Sequence, residues 1–254
     1  MFKSKKPSKA QIELLKQDEG VLASAEFQRT AMAAKLNWLR AGVLGANDGI
    51  VSTAGLVMGI AGANGDASAI LVAGVAGLVA GSISMAGGEY TSVSAQRDSE
   101  LAALEVERKE LLEDPDRELR ELAWFYEQKG LSAETALTVA AELTEKDALK
   151  AHAEAELGID SSQQVSPTQA ALSSFVAFAA GSLLPLVAVT GPWIDFRIQA
   201  TVIAVVASLA LTGFVGAKIG GAKSLRAIVR NVVVSLLTMS VTYAIGSLVG
   251  SVHF

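Results

Sequence analysis

The sequence predicts an all-α protein with five membrane-spanning helices and a helical insert between the second and third of them. Hydrophobic residues make up 51% of the 254-residue chain, aromatic residues make up only 6%, and glycine occurs 23 times. A chain of this kind is too apolar for an ordinary soluble domain, and its small residues are typical of closely packed membrane helices. The positions of the charged residues then divide the chain into spans and insert.

Stretches without charged residues mark the five spans. Four of them contain no Asp, Glu, Lys or Arg: residues 67–88, 161–194, 198–217 and 231–254. A fifth stretch, residues 41–65, contains Asp48 as its one charged residue. Because a spanning helix needs about 20 apolar residues, each stretch is long enough for one crossing.

The predicted organisation has four parts: a basic tail over residues 1–36, spans one and two over 37–89, an acidic insert over 90–166, and spans three to five over 167–254. The first 40 residues carry eight of the Lys and Arg residues, whereas the loop 62–66 carries none. By the positive-inside rule, the N-terminus and the insert are expected on the cytoplasmic side. The basic N-terminus lacks an apolar signal core, so no cleavable targeting segment is expected.

The insert is strongly acidic and predicts three helices. Residues 98–157 contain 17 acidic and seven basic residues, and thus a net charge of -10. Asp114 followed by Pro115 is typical of a helix start, with Asp as the N-cap and Pro at the first helical position. Gly130 is expected to end that second helix, and Ser132 to cap a third that ends near Gly158. With no cysteine in the chain, a thiolate metal site and a disulfide framework are excluded.

Carboxylates at helical spacing in the insert are candidate metal ligands. At about 100° per residue, three glutamates of the first insert helix share one face of that helix. Two more glutamates lie at i, i+3 on the second helix. A histidine and a glutamate lie at i, i+4 on the third. The candidates are Glu100, Glu107, Glu110, Glu118, Glu121, His152 and Glu156. This ligand mixture suits Fe²⁺, Mn²⁺ or Zn²⁺. The alternative is an acidic helix surface that is merely solvated.

Asp48 is the second candidate site, because an intramembrane carboxylate costs several kcal/mol and indicates function by default. In span two, Met85 and Glu89 lie one helical turn apart on one face. A thioether and two carboxylates can together hold a borderline cation such as Fe²⁺ for a short time. The alternatives are that Met85 fills a packing gap and that Glu89 is an interfacial residue.

These stretches together resemble the vacuolar iron transporter family. The similarity covers residues 37–252 and is carried by LRAGVLGANDGIVSTAGLVMGIAGA in span one, AGLVAGSISMAGGEYTSVSAQRDSE in and after span two, AHAEAELGI in the insert and AFAAGSLLPL in span three. The NDG and VST residues of span one and the GEY residues of span two are its most specific parts.

The resemblance implies a homodimer of five-span subunits that exports Fe²⁺, often also Mn²⁺, from the cytosol to a lumen or the exterior by exchange with protons. It implies a path lined by Asp48, Met85 and Glu89, and metal-binding carboxylates at Glu107, Glu110, Glu118, Glu121 and Glu156. A methionine of plant members falls at His152. Small residues at four-residue spacing, such as Gly45 with Gly49, are consistent with close helix contacts within a subunit or across a dimer.

The leading hypothesis is therefore a proton-coupled Fe²⁺ and Mn²⁺ exporter, and the alternative is a membrane-anchored metal buffer or sensor without transport. The expected partners are divalent metal ions, protons, membrane lipid and a second copy of the chain. No enzymatic activity, resident cofactor or nucleic acid is expected. The expected location is the inner membrane in a bacterium and the vacuolar membrane in a eukaryote.

Overall fold

The computed structural model describes residues 19–63, 65–159 and 166–251, and side chains from Ala41 onward except that of Ile194. Residues 1–18 of the predicted basic tail lie outside these ranges. Within them the chain is helical and has no strand. The helices are α1 (Glu19–Gly62), α2 (Ala67–Glu113), α3 (Pro115–Gln128), α4 (Ala133–Ala155), α5 (Pro167–Thr190), α6 (Arg197–Ile219) and α7 (Ser224–Gly250), with a 3-10 turn at Ile194–Phe196 before α6.

Five of the described helices are long and apolar enough to cross a membrane, which confirms the predicted number of spans. They are α2, α5, α6, α7 and the part of α1 from Ala41 to Gly62. Hydroxyl side chains inside these helices donate to backbone carbonyls one turn earlier, as Ser82 does to Leu78 and Thr201 to Arg197, both at 2.7 Å. Their polar groups are thereby satisfied without water.

Helix α1 lies at the centre of the spans and contacts α2, α5, α6 and α7. Glycines allow its backbone to approach the neighbouring helices: a Cβ added at Gly49 would collide with the carbonyl of Phe178 on α5, and one at Gly246 on α7 with the carbonyl of Gly59. The other face of α1 forms an apolar core with α6 and α7, made of Ile50, Ala54, Met58, Val205, Leu209 and Met239. This packing fixes α1, and with it Asp48.

The connecting segment, defined here as residues 90–159, contains the last part of α2 together with α3 and α4. Asp114 caps α3 by accepting from the backbone N–H of Arg117 at 3.0 Å, and Ser132 caps α4, as predicted. Gly130 lies between them with a φ of 97°, a left-handed conformation that favours glycine. A small core of Leu122, Ala123, Ala136, Ala140 and Ala151 holds α3 against α4.

One feature of α4 departs from the prediction of an uninterrupted third helix. Asp147 has an extended backbone, with φ -166° and ψ 93°, so the helix breaks there. The Asp147 carboxylate then accepts from the backbone N–H of Lys150 at 3.0 Å and caps the part that follows. The break reorients the short final stretch that carries His152.

Candidate metal cluster and membrane groove

Three helices each place one buried polar side chain at the same point of the connecting segment. Glu107 comes from α2, Glu118 from the first turn of α3, and His152 from the part of α4 that follows the break. Glu118 reaches this point because the cap at Asp114 reverses the chain directly after α2. We call Glu107, Glu118, His152 and Glu156 the metal cluster.

The His152 ring nitrogen Nδ1 lies at the centre of the metal cluster. It is 2.9 Å from Glu107 Oε1, 3.4 Å from Glu156 Oε2 and 3.9 Å from Glu118 Oε2. One ligand atom from each of Glu107, Glu118 and His152 lies within 4.8 Å of the others. These separations are longer than bonds to a cation but short enough for one cation to draw the atoms together.

The metal cluster is enclosed by protein and incompletely hydrogen-bonded. Glu107 and Glu118 are each 2% exposed, and His152 is fully buried. Although Glu107 Oε1 is close to His152 Nδ1, the approach does not have hydrogen-bond geometry, and neither Oε1 nor His152 Nε2 has a hydrogen-bond partner among the described residues. Buried polar atoms without partners are costly, and a cation coordinated by these side chains would satisfy the carboxylate oxygen.

Burial and electrostatic repulsion raise the pKa of two carboxyls in the metal cluster. Burial, and then the negative charges of Glu156, Glu118, Glu110 and Glu121, raise the pKa of Glu107 to about 7. Burial and the neighbouring Glu121 also raise the pKa of Glu118, against opposing effects of His152 and Arg117. A divalent cation would remove both the repulsion and the unsatisfied oxygen, and it would favour the charged carboxylates.

The remaining predicted ligands are arranged around this group. Glu110 and Glu121 are partly buried, and their charges act on Glu107, while Glu121 also pairs with Arg117 at 3.8 Å. Glu100 is not brought to the metal cluster, and its carboxylate accepts a hydrogen bond from Gln96 at 2.8 Å. Glu100 is seven residues before Glu107, which corresponds to about 10 Å along the helix axis.

The second site is a groove between α1 and α2, which we call the membrane groove. Its volume is about 560 Å³, and Asp48, Met85 and Glu89 all line it. Asp48 is exposed to the groove, whereas Met85 and Glu89 are half-buried. The structure thus brings the three predicted path residues into one opening, although they come from two helices.

The model of the VIT family matches residues 39–247. The chain belongs to the VIT family. It is 44% identical over 214 residues to a vacuolar iron transporter of Acanthamoeba castellanii, which covers 83% of this chain and 78% of that protein. It is 37% identical over 216 residues to vacuolar iron transporter homolog 5 of Oryza sativa, covering 84% and 81%.

A third VIT-family relative is vacuolar iron transporter homolog 2 of Arabidopsis thaliana, 35% identical over 214 residues, which cover 84% of this chain and 85% of that protein. The resemblance to vacuolar iron transporters is thereby confirmed. Membership of the family and the five apolar helices together identify this VIT-family chain as a multi-pass membrane protein.

Sequence reasoning missed the polar and small residues that shape the membrane groove of this VIT-family chain. Ser52, Thr53 and Ser84 line it beside the three path residues. A signal was present, because Ser52 follows Asp48 by one helical turn. The Ser52 hydroxyl donates to the backbone carbonyl of Asp48 at 2.6 Å, so its oxygen remains able to accept a hydrogen bond or a cation contact.

Proposed function

We propose that this chain transports Fe²⁺, and also Mn²⁺, from the side of the membrane that carries the connecting segment to the opposite side, in exchange for protons. The observation that carries the proposal is the convergence of Asp48, Met85 and Glu89 on the membrane groove. A passive membrane anchor has no use for a carboxylate inside an apolar span, because the cost of placing it there is not recovered. The names of the relatives support metal transport as the activity, and they point to a non-enzymatic role.

The ligand set of the membrane groove fits a transported ion better than a tightly held one. Two carboxylates supply hard oxygen ligands, and the Met85 thioether supplies a soft one, so a borderline cation such as Fe²⁺ is favoured without full coordination. Hydroxyl groups of Ser52 and Ser84 can replace part of its water. Each carboxylate can carry either a proton or a share of the metal charge, which is the requirement for exchange of the two.

The metal cluster would supply ions to this path. It carries an excess of negative charge on the same polypeptide, and a local negative field raises the concentration of cations near the entrance. Glu89 and Glu107 lie on the same helix about 27 Å apart along its axis, so an ion leaving the metal cluster has that distance to cross before it reaches the half-buried carboxylate of the groove. The direction of transport is proposed because the metal cluster precedes the membrane groove on the ion's route, and because the basic tail is expected on the same side of the membrane as the metal cluster.

A second copy of the chain would complete the membrane groove. Only 17% of the apolar window of α2 is buried, although this helix carries Met85 and Glu89. Gly88 lies on the groove wall with no atom within 4 Å of a Cβ added there, so a second helix can approach closely at that point. Gly77 and Gly81 on the same wall already pack against Leu56 and Phe178 of the same chain. We therefore include a homodimer in the proposal, with the groove of each subunit facing that of its partner.

The test is metal uptake by the full chain reconstituted in liposomes under an imposed pH gradient. Asp48→Asn keeps the shape of the side chain but cannot carry its charge or exchange a proton, so we expect uptake to fall to that of empty liposomes. Asp66→Asn is the matched control, because Asp66 caps α2 by accepting from the backbone N–H of Ala69 at 2.7 Å and from the Ser68 hydroxyl at 2.9 Å, and the Asn side-chain oxygen can accept both.

Two outcomes would contradict the proposal. Proton-coupled uptake at the wild-type rate by a folded Asp48→Asn protein would exclude Asp48 from the path. Metal binding by the wild-type protein with no uptake under any gradient would instead support the alternative function, a membrane-anchored metal buffer or sensor.

A further inference from the structure

Two arginines lie one helical turn apart at the start of α7, outside both sites described above. At about 100° per residue, Arg226, Arg230, Val233 and Leu237 fall within one narrow stripe of the helix surface. All four side chains are exposed. Only 11% of the apolar window of α7 is buried, so this stripe faces away from the other spans.

The arginines have no counter-charge within the described structure. Residues 196–254 contain five Lys and Arg residues and no Asp or Glu. Among the side chains that the structure describes, no carboxylate lies within ion-pair distance of either arginine. Two guanidinium groups that lie so close together repel each other, and an anion bound between them would relieve that repulsion.

An apolar groove begins beside the arginines. Its volume is about 500 Å³, and its walls are Leu225, Arg226, Val229, Arg230, Val233 and Val234. The two guanidinium groups lie at the polar end of the helix, and the branched apolar side chains continue toward the middle of the span. A molecule that fits this surface has a charged anionic group at one end and a long apolar part at the other.

The position of the groove agrees with the membrane surface. With five spans, the connection between α6 and α7 lies on the same side as the connecting segment, because two further crossings separate them. Arginine binds phosphate through two parallel N–H donors, which gives a directed contact that lysine cannot reproduce. Basic residues at this depth also attract anionic lipids electrostatically.

We propose that Arg226 and Arg230 bind the phosphate of an anionic phospholipid, whose acyl chain follows Val233 and Leu237 along α7. The lipid then covers a helix face that the rest of the subunit leaves open, and it holds the end of α7 at a fixed depth in the leaflet. This site is independent of the transport path, since none of its residues lines the membrane groove.

The test is native mass spectrometry of the full chain released from detergent micelles that contain equal amounts of phosphatidylglycerol and phosphatidylcholine with identical acyl chains. The wild-type chain is expected to retain phosphatidylglycerol in preference to phosphatidylcholine. Each basic residue near an anionic lipid contributes roughly fivefold to binding, so Arg226→Gln with Arg230→Gln should lower retention about 30-fold. Lys218→Gln with Lys223→Gln removes the same charge outside the groove and should lower it much less.

Equal retention of the two lipids, or wild-type retention by the double arginine variant, would overturn the proposal. Equal losses in the arginine and lysine pairs would assign the effect to the general positive field. Displacement of the lipid by millimolar inorganic phosphate would make the groove a simple anion site instead. If the glutamine pair does not fold, Arg226→Lys with Arg230→Lys decides, because wild-type retention would exclude the paired guanidinium contact.

Discussion

Metal binding by the metal cluster should weaken steeply as the pH falls from 8 to 6, because Glu107 must lose its proton before it can act as a ligand. Burial and the charges of Glu156, Glu118, Glu110 and Glu121 raise the pKa of Glu107 to about 7. A carboxyl with its ordinary pKa would be ionised throughout this range and would add no pH dependence. The experiment therefore varies the pH, and Glu107→Gln is the variant that isolates the contribution of this carboxyl to metal binding.

The magnitude follows from the value of that pKa. With a pKa of about 7, roughly ten of every eleven Glu107 side chains are protonated at pH 6 and roughly one of eleven at pH 8. Competition by this proton alone predicts about a tenfold tighter apparent association at pH 8 than at pH 6. Glu118 adds to this in the same direction, since its pKa is also raised.

Calorimetric titration of the full chain with Mn²⁺ at pH 6, 7 and 8 measures the effect, with Asp48→Asn in the background to remove binding in the membrane groove. Glu107→Gln should bind more weakly at pH 8 and lose most of the tenfold change. Glu105→Gln is the control, because Glu105 is exposed and pairs only with Arg108 at 3.5 Å. An unchanged pH profile in Glu107→Gln would show that the proton on Glu107 does not compete with the metal.

The same proton affects the stability of the metal-free protein. A folded-state pKa above the unfolded one means that the folded state binds more protons, so this group favours folding fully below about 4.5 and loses that contribution as the pH rises to about 7. Added metal should reverse the trend above pH 7.

Three further predictions concern the ligands of the connecting segment and the packing of α1. Replacement of Glu107, Glu110, Glu118 and Glu121 by Ala should abolish metal binding in the connecting segment, measured by calorimetry, while the same change at the exposed Glu105, Glu113, Glu134 and Glu142 should leave its stoichiometry intact. His152→Met should retain Fe²⁺ but lose Mn²⁺ affinity, because a thioether is a poor ligand for the harder ion; equal losses for the two metals in competition assays would count against His152 as a ligand. Gly49→Ala should destabilise the span region by about 1–3 kcal/mol in thermal unfolding, because its Cβ would meet the carbonyl of Phe178. Gly42→Ala on the same helix is the control and should have little effect, since no atom lies within 4 Å of its added Cβ.

The spacing of the charged residues was sufficient to predict the spans, because the apolar interior of a bilayer disfavours ionisable side chains in a spanning helix. The capping residues could also be predicted, because Asp114 and Ser132 each accept a hydrogen bond from a backbone N–H three positions later in the chain. The break at Asp147 was not predicted. Asp147 is surrounded by good helix formers, and its departure from the helix depends on how the final stretch of α4 meets α2.

Helical periodicity alone could not select the members of the metal cluster from the acidic residues of the connecting segment. Helical spacing places Glu100, Glu107 and Glu110 on similar faces, but it does not tell which of them the other two helices approach. Only the reversal of the chain at Asp114 determines that Glu118 meets Glu107. The burial of Glu107, and hence its raised pKa, depends on helices that the sequence reasoning could not orient.

Helix α2 is a single unbroken rod of 47 residues, from Ala67 to Glu113. Glu89 and Glu107 are therefore about 27 Å apart on one rigid body, at 1.5 Å per residue. A tilt of the second span by 10° would swing Glu107 sideways by about 5 Å, which exceeds any tolerance of a coordinated ion. In the proposed transport cycle, a change in the tilt of the second span would therefore alter the geometry of the metal cluster at the far end of the same helix.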